Sequence, residues 1–267
     1  MHVTVLMAVY NGESTVQKAV ESVLAQKYTD WDLIIVDDGS TDNSYQVISA
    51  IAKQDNRIQI IRNAHNLGFP ASLNFGWQSS KSDLIALNDA DDTSHPDRLA
   101  HQVSFMNAHP EIDVLGAGVV LLDQDGATIS TAMRPENHDE LESRMYKENP
   151  FFHPTVMYRR RFLEALNGYD PMLKRSQDVD LFLRGYRKFR YHNLQEVLVS
   201  YRTRPRPSLK SIFFGSFVLL RASWREHRII SKGWYAFRFL ICNLLYWMRL
   251  ARPRLLTSPQ KQTIGVH

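Results

Sequence analysis

The stretch "LIALNDADDTSHPDRL", residues 84–99, places Asp89, Asp91 and Asp92 within four positions, directly after an apolar run. Three carboxylates this close repel one another at neutral pH, and the end of a buried strand solvates them poorly. A cation removes the conflict. The hard divalent ions Mg2+ and Mn2+ take oxygen ligands, usually one or two carboxylates together with substrate phosphate. The acidic run therefore points to metal-assisted chemistry on a phosphate-bearing substrate. The competing use is helix capping by Asp92 or Asp97. Asp97 follows Pro96 and precedes "RLAHQVSFM", which suits a cap, but that leaves Asp89 and Asp91 unexplained.

Positioning such groups requires a scaffold, and the first hundred residues supply its pattern. "VTVLMAVY" reads as a buried strand, and "NGES" as a turn. Ser14 is placed to cap the next helix, with Gln17 completing a capping box. Val16, Val20, Val23 and Leu24 form that helix's apolar face. "WDLIIVDD" is a second strand, and "GSTDNS" leads into a helix around residues 45–52. "RIQIIRN" is a third strand, "NLGFPASLNFGWQSS" a loop and helix, and "DLIALND" a fourth strand. Strands alternating with helices predict an α/β fold with a mostly parallel sheet covered on both faces. Ligands of such sheets bind outside the carboxyl ends of the strands. Tyr10, Asn11, Asp37, Asp38, Asp89 and Asp91 each follow an apolar strand and should share one rim.

The second half is less regular. "DVLGAGVVLLDQDGATIS" predicts a hairpin turning at Asp125–Gly126, and "HDELESRMYKEN" a helix. "HPTVMYRRRFLEAL" predicts a strand then a helix. "QDVDLFLRGYRK" predicts a helix with Val179, Phe182, Leu183 and Tyr186 on one face, and "YHNLQEVLVSYR" a closing strand. "RTRPRPS", residues 202–208, is the most linker-like stretch.

Hydrophobic residues at 44% and charged residues at 22% suit a globular chain, and 267 residues allow one large domain with an appendage. The single cysteine, Cys242, excludes an internal disulfide or a cysteine metal cluster and fits a reducing compartment. "MHVTVLMAVYNG" lacks the pattern of a secretion signal and reads as the first strand. The net charge of +4 is unevenly shared. Residues 201–267 carry thirteen Lys or Arg against Glu226 alone, a formal +12 that leaves −8 for residues 1–200. Basic tails favour nucleic acid or anionic lipid. Here the tail also has a helical stripe of Leu209, Phe213, Phe217, Leu220 and Trp224, edged by Arg221, Arg225 and Arg228. A second amphipathic segment follows. Its charge-free stretch, residues 239–248, is half the roughly 20 residues needed to span a bilayer. Aromatic rings beside arginines suit a membrane interface and not nucleic acid.

Taken in order, "VLMAVYNGESTVQKAVESVLAQKYTDWDLIIVDDGSTDNS", "NLGFPASLNFGW" and "DADDTSHPDRL" resemble the inverting family 2 glycosyltransferases of the GT-A fold. "HPTVM" and "SQDVDLFLR" extend the resemblance to about residue 203. It implies a GT-A catalytic domain over residues 1–203, with a nucleotide-binding half at 1–100 and an acceptor half at 101–203. Residues 204–267 remain as a basic amphipathic helical appendage. The implied reaction moves a sugar from a nucleotide-sugar donor, a UDP-sugar first, to a glycan or lipid-linked acceptor of cell-surface polysaccharide. By resemblance Ala8, Val9, Tyr10, Asn11 and Glu13 contact the donor, and Asp38 accepts a hydrogen bond from the base. Asp91 reaches Mn2+ or Mg2+, and Asp89 lies near the ribose or the metal. Asn66, Gly68 and Asn74 shape the donor loop.

In the family an acidic residue followed by aspartate supplies the general base. Here the pair reads Gln177–Asp178, so Asp178 matches the base. Asp180 is its rival two positions on. About 200° of helix separates the two, so only one faces the sugar, and Asp180 reads as structural. His153 in "FFHPTVM" is placed to touch acceptor or diphosphate, or to sit as a satisfied structural group. Two alternatives remain: "DADDT" fits the D-x-D-x-T of haloacid-dehalogenase-type phosphatases, although three strands precede it, and a degenerate transferase would serve as a membrane scaffold. The expected location is peripheral, on the cytoplasmic face of a membrane, and nothing in the sequence excludes a homo-oligomer.

Overall fold

The structure, a computed structural model, describes residues 1–203, 209–225, 237, 240 and 241. Strand β1 (Val3–Val9) is buried along its whole length. Its period of two sends Val3, Val5, Met7 and Val9 into one core and Leu6 and Ala8 into another. That is the signature of a strand covered on both sides. β2 (Trp31–Asp37) and β4 (Leu84–Leu87) flank β1 in parallel, and β3 (Ile58–Arg62) adds to β2. The sheet continues from β4 through β8 (Met157–Arg159), β6 (Ile112–Leu122) and β9 (Arg190–Arg202) to β5 (Thr93–Ser94). β8 is antiparallel to both its neighbours, while β6 and β9 are parallel. β7 (Thr128–Ala132) forms the expected hairpin with β6. The half built from β1 to β4 is thus wholly parallel, and the orientation changes where β8 joins it.

Helices cover both faces. α1 (Val16–Leu24), α2 (Ser44–Ala52) and α4 (Arg98–Ala108) close one core with Val20, Ile48 and Val103. α3 (Phe69–Ser79), α5 (His138–Arg144), α6 (Arg160–Leu166) and α7 (Gln177–Gly185) close the other with Trp77, Leu141, Phe162 and Phe182.

Three local expectations change. The capping box at Ser14 does not form: Thr15 occupies the N-cap of α1 with no side-chain cap. The amides ahead of the helix are satisfied from the loop after β2, Gly12 N donating to Ser44 Oγ and Glu13 N to Asp42 Oδ2. The buried face of α7 includes Asp180 and Leu181 as well as Phe182, Leu183 and Tyr186. The basic edge of α8 (Leu209–Arg225) turns inward, because carboxylates are available there. Arg221 pairs with Asp170 at 2.7 Å and Arg225 with Asp180 at 3.3 Å, while Val218, Leu219 and Ala222 are buried in the core. Of the expected apolar stripe, Phe217, Leu220 and Trp224 are 54%, 50% and 69% exposed. The side chains of Leu209 and Phe213, the linker at 204–208, Arg228 and most of the second amphipathic segment lie outside the described residues.

Asp180 is fully buried, and its two oxygens take Arg184 of the same helix at 2.7 Å and Arg225 of α8. Removing one partner of a buried charge pair strands the others. Asp180→Ala should cost about 3–5 kcal/mol in urea unfolding and speed proteolysis of α8. A loss under about 1 kcal/mol would show that the pair does not fasten α8 to α7.

Candidate active site

The acidic turn is built on Arg98. This first residue of α4 is 1% exposed and lies beneath the end of β4. Its Nη2 donates to Leu87 O at 2.7 Å, its Nη1 to Ser94 Oγ at 2.9 Å, and its Nε to Gln102 Oε1 at 3.1 Å. Burial pushes its pKa down to about 9, against the upward pull of Asp89 and Asp92, so it remains a cation at neutral pH. Asn88 closes the turn by donating from Nδ2 to the carbonyls of Asp89 and Asp92. Asp97 sits at the N-cap of α4 but does not cap with its side chain, which pairs with Lys27 at 2.8 Å instead.

Carboxylate oxygens of Asp89, Asp91 and Asp92 lie within 4.8 Å of one another. Asp91 is exposed, Asp89 half-buried and Asp92 1% exposed. Asp92 Oδ1 accepts from Arg202 N at 2.8 Å, while its buried Oδ2 has no hydrogen-bond partner among the described residues. Burial above all, then Asp89 and Asp91, push the Asp92 carboxyl up to about 9. Hard oxygen donors at this spacing, one buried and unpartnered, fit a divalent cation.

Opposite this turn stands Asp178, in the first turn of α7. Ser176 immediately before the helix has a φ of 55°, and Asp178 Oδ2 accepts from Asn149 Nδ2 at 2.6 Å. His153 lies between the two acidic groups. It opens a 3-10 turn (His153–Thr155), with Nδ1 3.8 Å from Asp89 Oδ1 and Nε2 3.0 Å from the Tyr169 hydroxyl. Burial lowers its pKa, but Asp89 and Asp178 outweigh burial and the net direction is up. Tyr201, from β9, faces the same carboxylates. Burial first, then Asp89, Asp92, Asp178 and Asp91, raise its phenol pKa.

The remaining predicted residues follow β1 and β2. The side chains of Ala8 and Val9 are buried, so only their backbone can meet a ligand. Tyr10 is 49% exposed at the rim. Asn11 takes a left-handed φ of 52° and accepts from Thr41 N at 2.9 Å. The Glu13 carboxylate accepts from Asn43 N at 2.8 Å and Asn43 Nδ2 at 3.0 Å. Asp38, expected at the base edge, is turned into the protein. It is 2% exposed; its Oδ1 accepts from Asn63 Nδ2 and Leu67 N, and its Oδ2 from Gly68 N. The buried carboxylate fastens the loop after β3. Asn74 likewise works elsewhere, holding the backbone of Tyr169 from both sides.

The structure therefore gathers Asp89, Asp91, His153 and Asp178, and it gives Asp38 internal partners. It adds Asp92, Arg98, Asn149, Tyr169 and Tyr201. Arg98 and Gln102 were legible, since they share the helical face of Leu99, Val103 and Met106. Asn149 and the tyrosines carried no local signal.

The family model "Glycosyl transferase family 2" matches residues 4–166. The putative glycosyltransferase EpsE of Bacillus subtilis is 36% identical over 204 residues, covering 75% of this chain and 72% of its own. The O-antigen biosynthesis glycosyltransferase WbnJ of Escherichia coli is 30% identical over 216 residues, covering 78% and 82%. Among solved structures, S. aureus TarS 1-349 in complex with UDP aligns with a TM-score of 0.65 at 18% identity, over 95% of this chain and 74% of that one. The mannosyltransferase PcManGT from Pyrobaculum calidifontis, in complex with GDP-Man and Mn2+, aligns at 0.66 and 15% identity, over 94% and 76%. The fold is that of these GT-A enzymes.

Asp92 sets a pH dependence. An acid whose pKa rises on folding, here from 3.8 to about 9, stabilises the fold in its protonated form. That contribution is complete below the unfolded pKa and is lost as pH climbs toward about 9. In thermal melts with chelator, wild type should therefore lose Tm relative to Asp92→Asn between about pH 5 and pH 9. Parallel Tm curves for the two proteins would show that folding does not raise the Asp92 pKa.

Proposed function

The chain belongs to glycosyl transferase family 2 and is a glycosyltransferase; we propose that it moves a sugar, with inversion, from a nucleotide-sugar donor to a glycan or lipid-linked acceptor in cell-surface polysaccharide synthesis. The observation that carries this reading is the acidic turn with its orphaned buried oxygen, set opposite Asp178. The donor class is supported by neighbours solved with UDP, UDP-GlcNAc or GDP-Man, and the acceptor class by relatives named for O-antigen and amylovoran biosynthesis. A UDP-sugar is the first choice. With Asp38 occupied internally, Tyr10 offers a ring to the base while backbone of the β1 and β3 loops reads its edge. Family membership replaces the phosphatase alternative.

Asp91 and Asp89 would hold Mn2+ or Mg2+, with Asp92 behind them. When bound, the ion supplies Lewis-acid neutralisation of the departing diphosphate. Asp178 receives the acceptor hydroxyl proton as that oxygen bonds the anomeric carbon and the bond to the donor phosphate breaks on the opposite face. Asn149 ties up one Asp178 oxygen and so aims the other. Purified protein should release nucleotide from one member of a nucleotide-sugar panel only when acceptor is present. Chelator should abolish release, and Mn2+ or Mg2+ should restore it. Asp178→Asn should keep donor affinity and lose turnover by on the order of 10²–10⁴-fold. Should Asp180→Asn show that pattern and Asp178→Asn be nearly silent, the base is misassigned.

A peripheral membrane location completes the reading. No helix among the described residues is long and apolar enough to cross a membrane. Arg221 and Arg225 hold α8 on the catalytic body, leaving Phe217, Leu220 and Trp224 outward beside a tail of excess positive charge. Such a face suits the headgroup region of an anionic bilayer. Replacing the three with serine should weaken flotation with anionic vesicles and spare thermal stability. Equal flotation would assign the stripe to a second copy or another protein.

A further inference from the structure

Tyr158 is wholly buried, and among the described residues the one hydrogen-bond partner of its hydroxyl is Tyr169 Oη at 2.9 Å. Its proton therefore goes to Tyr169. The Tyr169 proton then goes to His153 Nε2, 3.0 Å away, which must accept. The imidazole hydrogen is left on Nδ1, the atom that faces Asp89 Oδ1 at 3.8 Å. Proton counting thus assigns the tautomer. The opposite direction would leave a buried tyrosine O–H with no acceptor among the described residues.

The relay is anchored well away from the site. Asn74 in α3 accepts from Tyr169 N at 2.9 Å and donates to Tyr169 O at 2.8 Å, and its own Oδ1 also takes Trp77 Nε1. Gly168, with φ of 62°, permits this approach: a Cβ there would lie 2.3 Å from Asn74 Oδ1. The His153 ring edge packs on Phe69 at 5.8 Å, so both position and tautomer of the ring are fixed.

We propose that His153 is a positioning residue of the transfer reaction: Tyr158 and Tyr169 hold its Nδ1–H edge toward Asp89, 3.8 Å away, and that edge orients the carboxylate toward the donor and metal. The inference rests on the transferase reading above. Second groups of this kind behind a ligating carboxylate are worth roughly 10–100-fold in metal affinity or activity.

Asparagine places an amide nitrogen where Nδ1 was, and glutamine places one where Nε2 was. His153→Asn should therefore keep most of the Mn2+ affinity, measured calorimetrically with UDP present, and most of kcat. His153→Gln should lose roughly 10–100-fold in either. In histidine-labelled, metal-free wild type at about pH 8, nitrogen NMR should show the Nδ1–H tautomer for His153, assigned by its loss in His153→Asn. Tyr169→Phe should shift that signal toward the other tautomer. An Nε2–H tautomer in wild type, or glutamine serving as well as asparagine, would overturn the proposal. Should no donor on the panel turn over while the tautomer and the Mn2+ difference hold, the transferase reading fails and the positioning role stands.

Discussion

Everything at the rim depends on one buried cation. Arg98 brings a guanidinium into the interior, a step that costs several kcal/mol without compensation. Compensation comes from the Leu87 carbonyl, Ser94, Gln102 and the field of Asp89 and Asp92. Arg98 therefore does two jobs. It satisfies the end of β4, and it puts positive potential beneath the acidic turn. The same helix reaches further, because Gln102 donates to Thr155 O, the turn that carries His153. One element thus sets the height of the acidic turn relative to the histidine facing it.

The donor side is fixed by loops that satisfy one another. Gly12, Glu13 and Asn11 exchange hydrogen bonds with Ser44, Asn43, Asp42 and Thr41, so the connections after β1 and β2 move as one piece. Asp38 does the same for the connection after β3. Gly39 is required at this junction: its φ is 70°, and a Cβ would meet the His65 backbone at 2.7 Å. A rim braced in this way has little ordering left to do when a ligand arrives, and that lowers the cost of binding. Such bracing consumes carboxylates and amides that look available for ligand when the chain is read one segment at a time.

That consumption explains what the sequence could and could not reveal. The strands, helices and shared rim follow from periodicity, because β1, β2 and β4 are buried on both faces and nothing local contradicts the pattern. The motif positions of Asp89, Asp91 and Asp178 were legible for the same reason: they sit at the ends of well-defined elements. The internal bonds of Asp38 were not, since its partners Asn63, Leu67 and Gly68 lie about 30 residues away. The Ser14 cap failed likewise, its place taken by Ser44 and Asp42 from a neighbouring loop. Arg221 and Arg225 read as a lipid-facing edge until Asp170 and Asp180 were brought beneath them.

The two aspartates of "QDVD" show how a helix divides stability from chemistry. Asp178 and Asp180 are two positions apart, which turns them to nearly opposite directions. Asp180 points inward to Arg184 and Arg225, and Arg184 also holds the carbonyls of Leu166 and Gly168. Gly168 adjoins Tyr169, whose hydroxyl holds His153. The inward aspartate therefore anchors both α8 and the segment that fixes the histidine. The outward one stays half-buried with Asn149, close enough to Asp89 that both carboxylates raise the His153 pKa. Swapping the roles would need the helix to rotate by half a turn, exposing Leu181 and Phe182 and burying a carboxylate without an arginine. Hydrophobic burial at α7 is thus what turns Asp180 inward and leaves Asp178 on the side of Asn149 and His153.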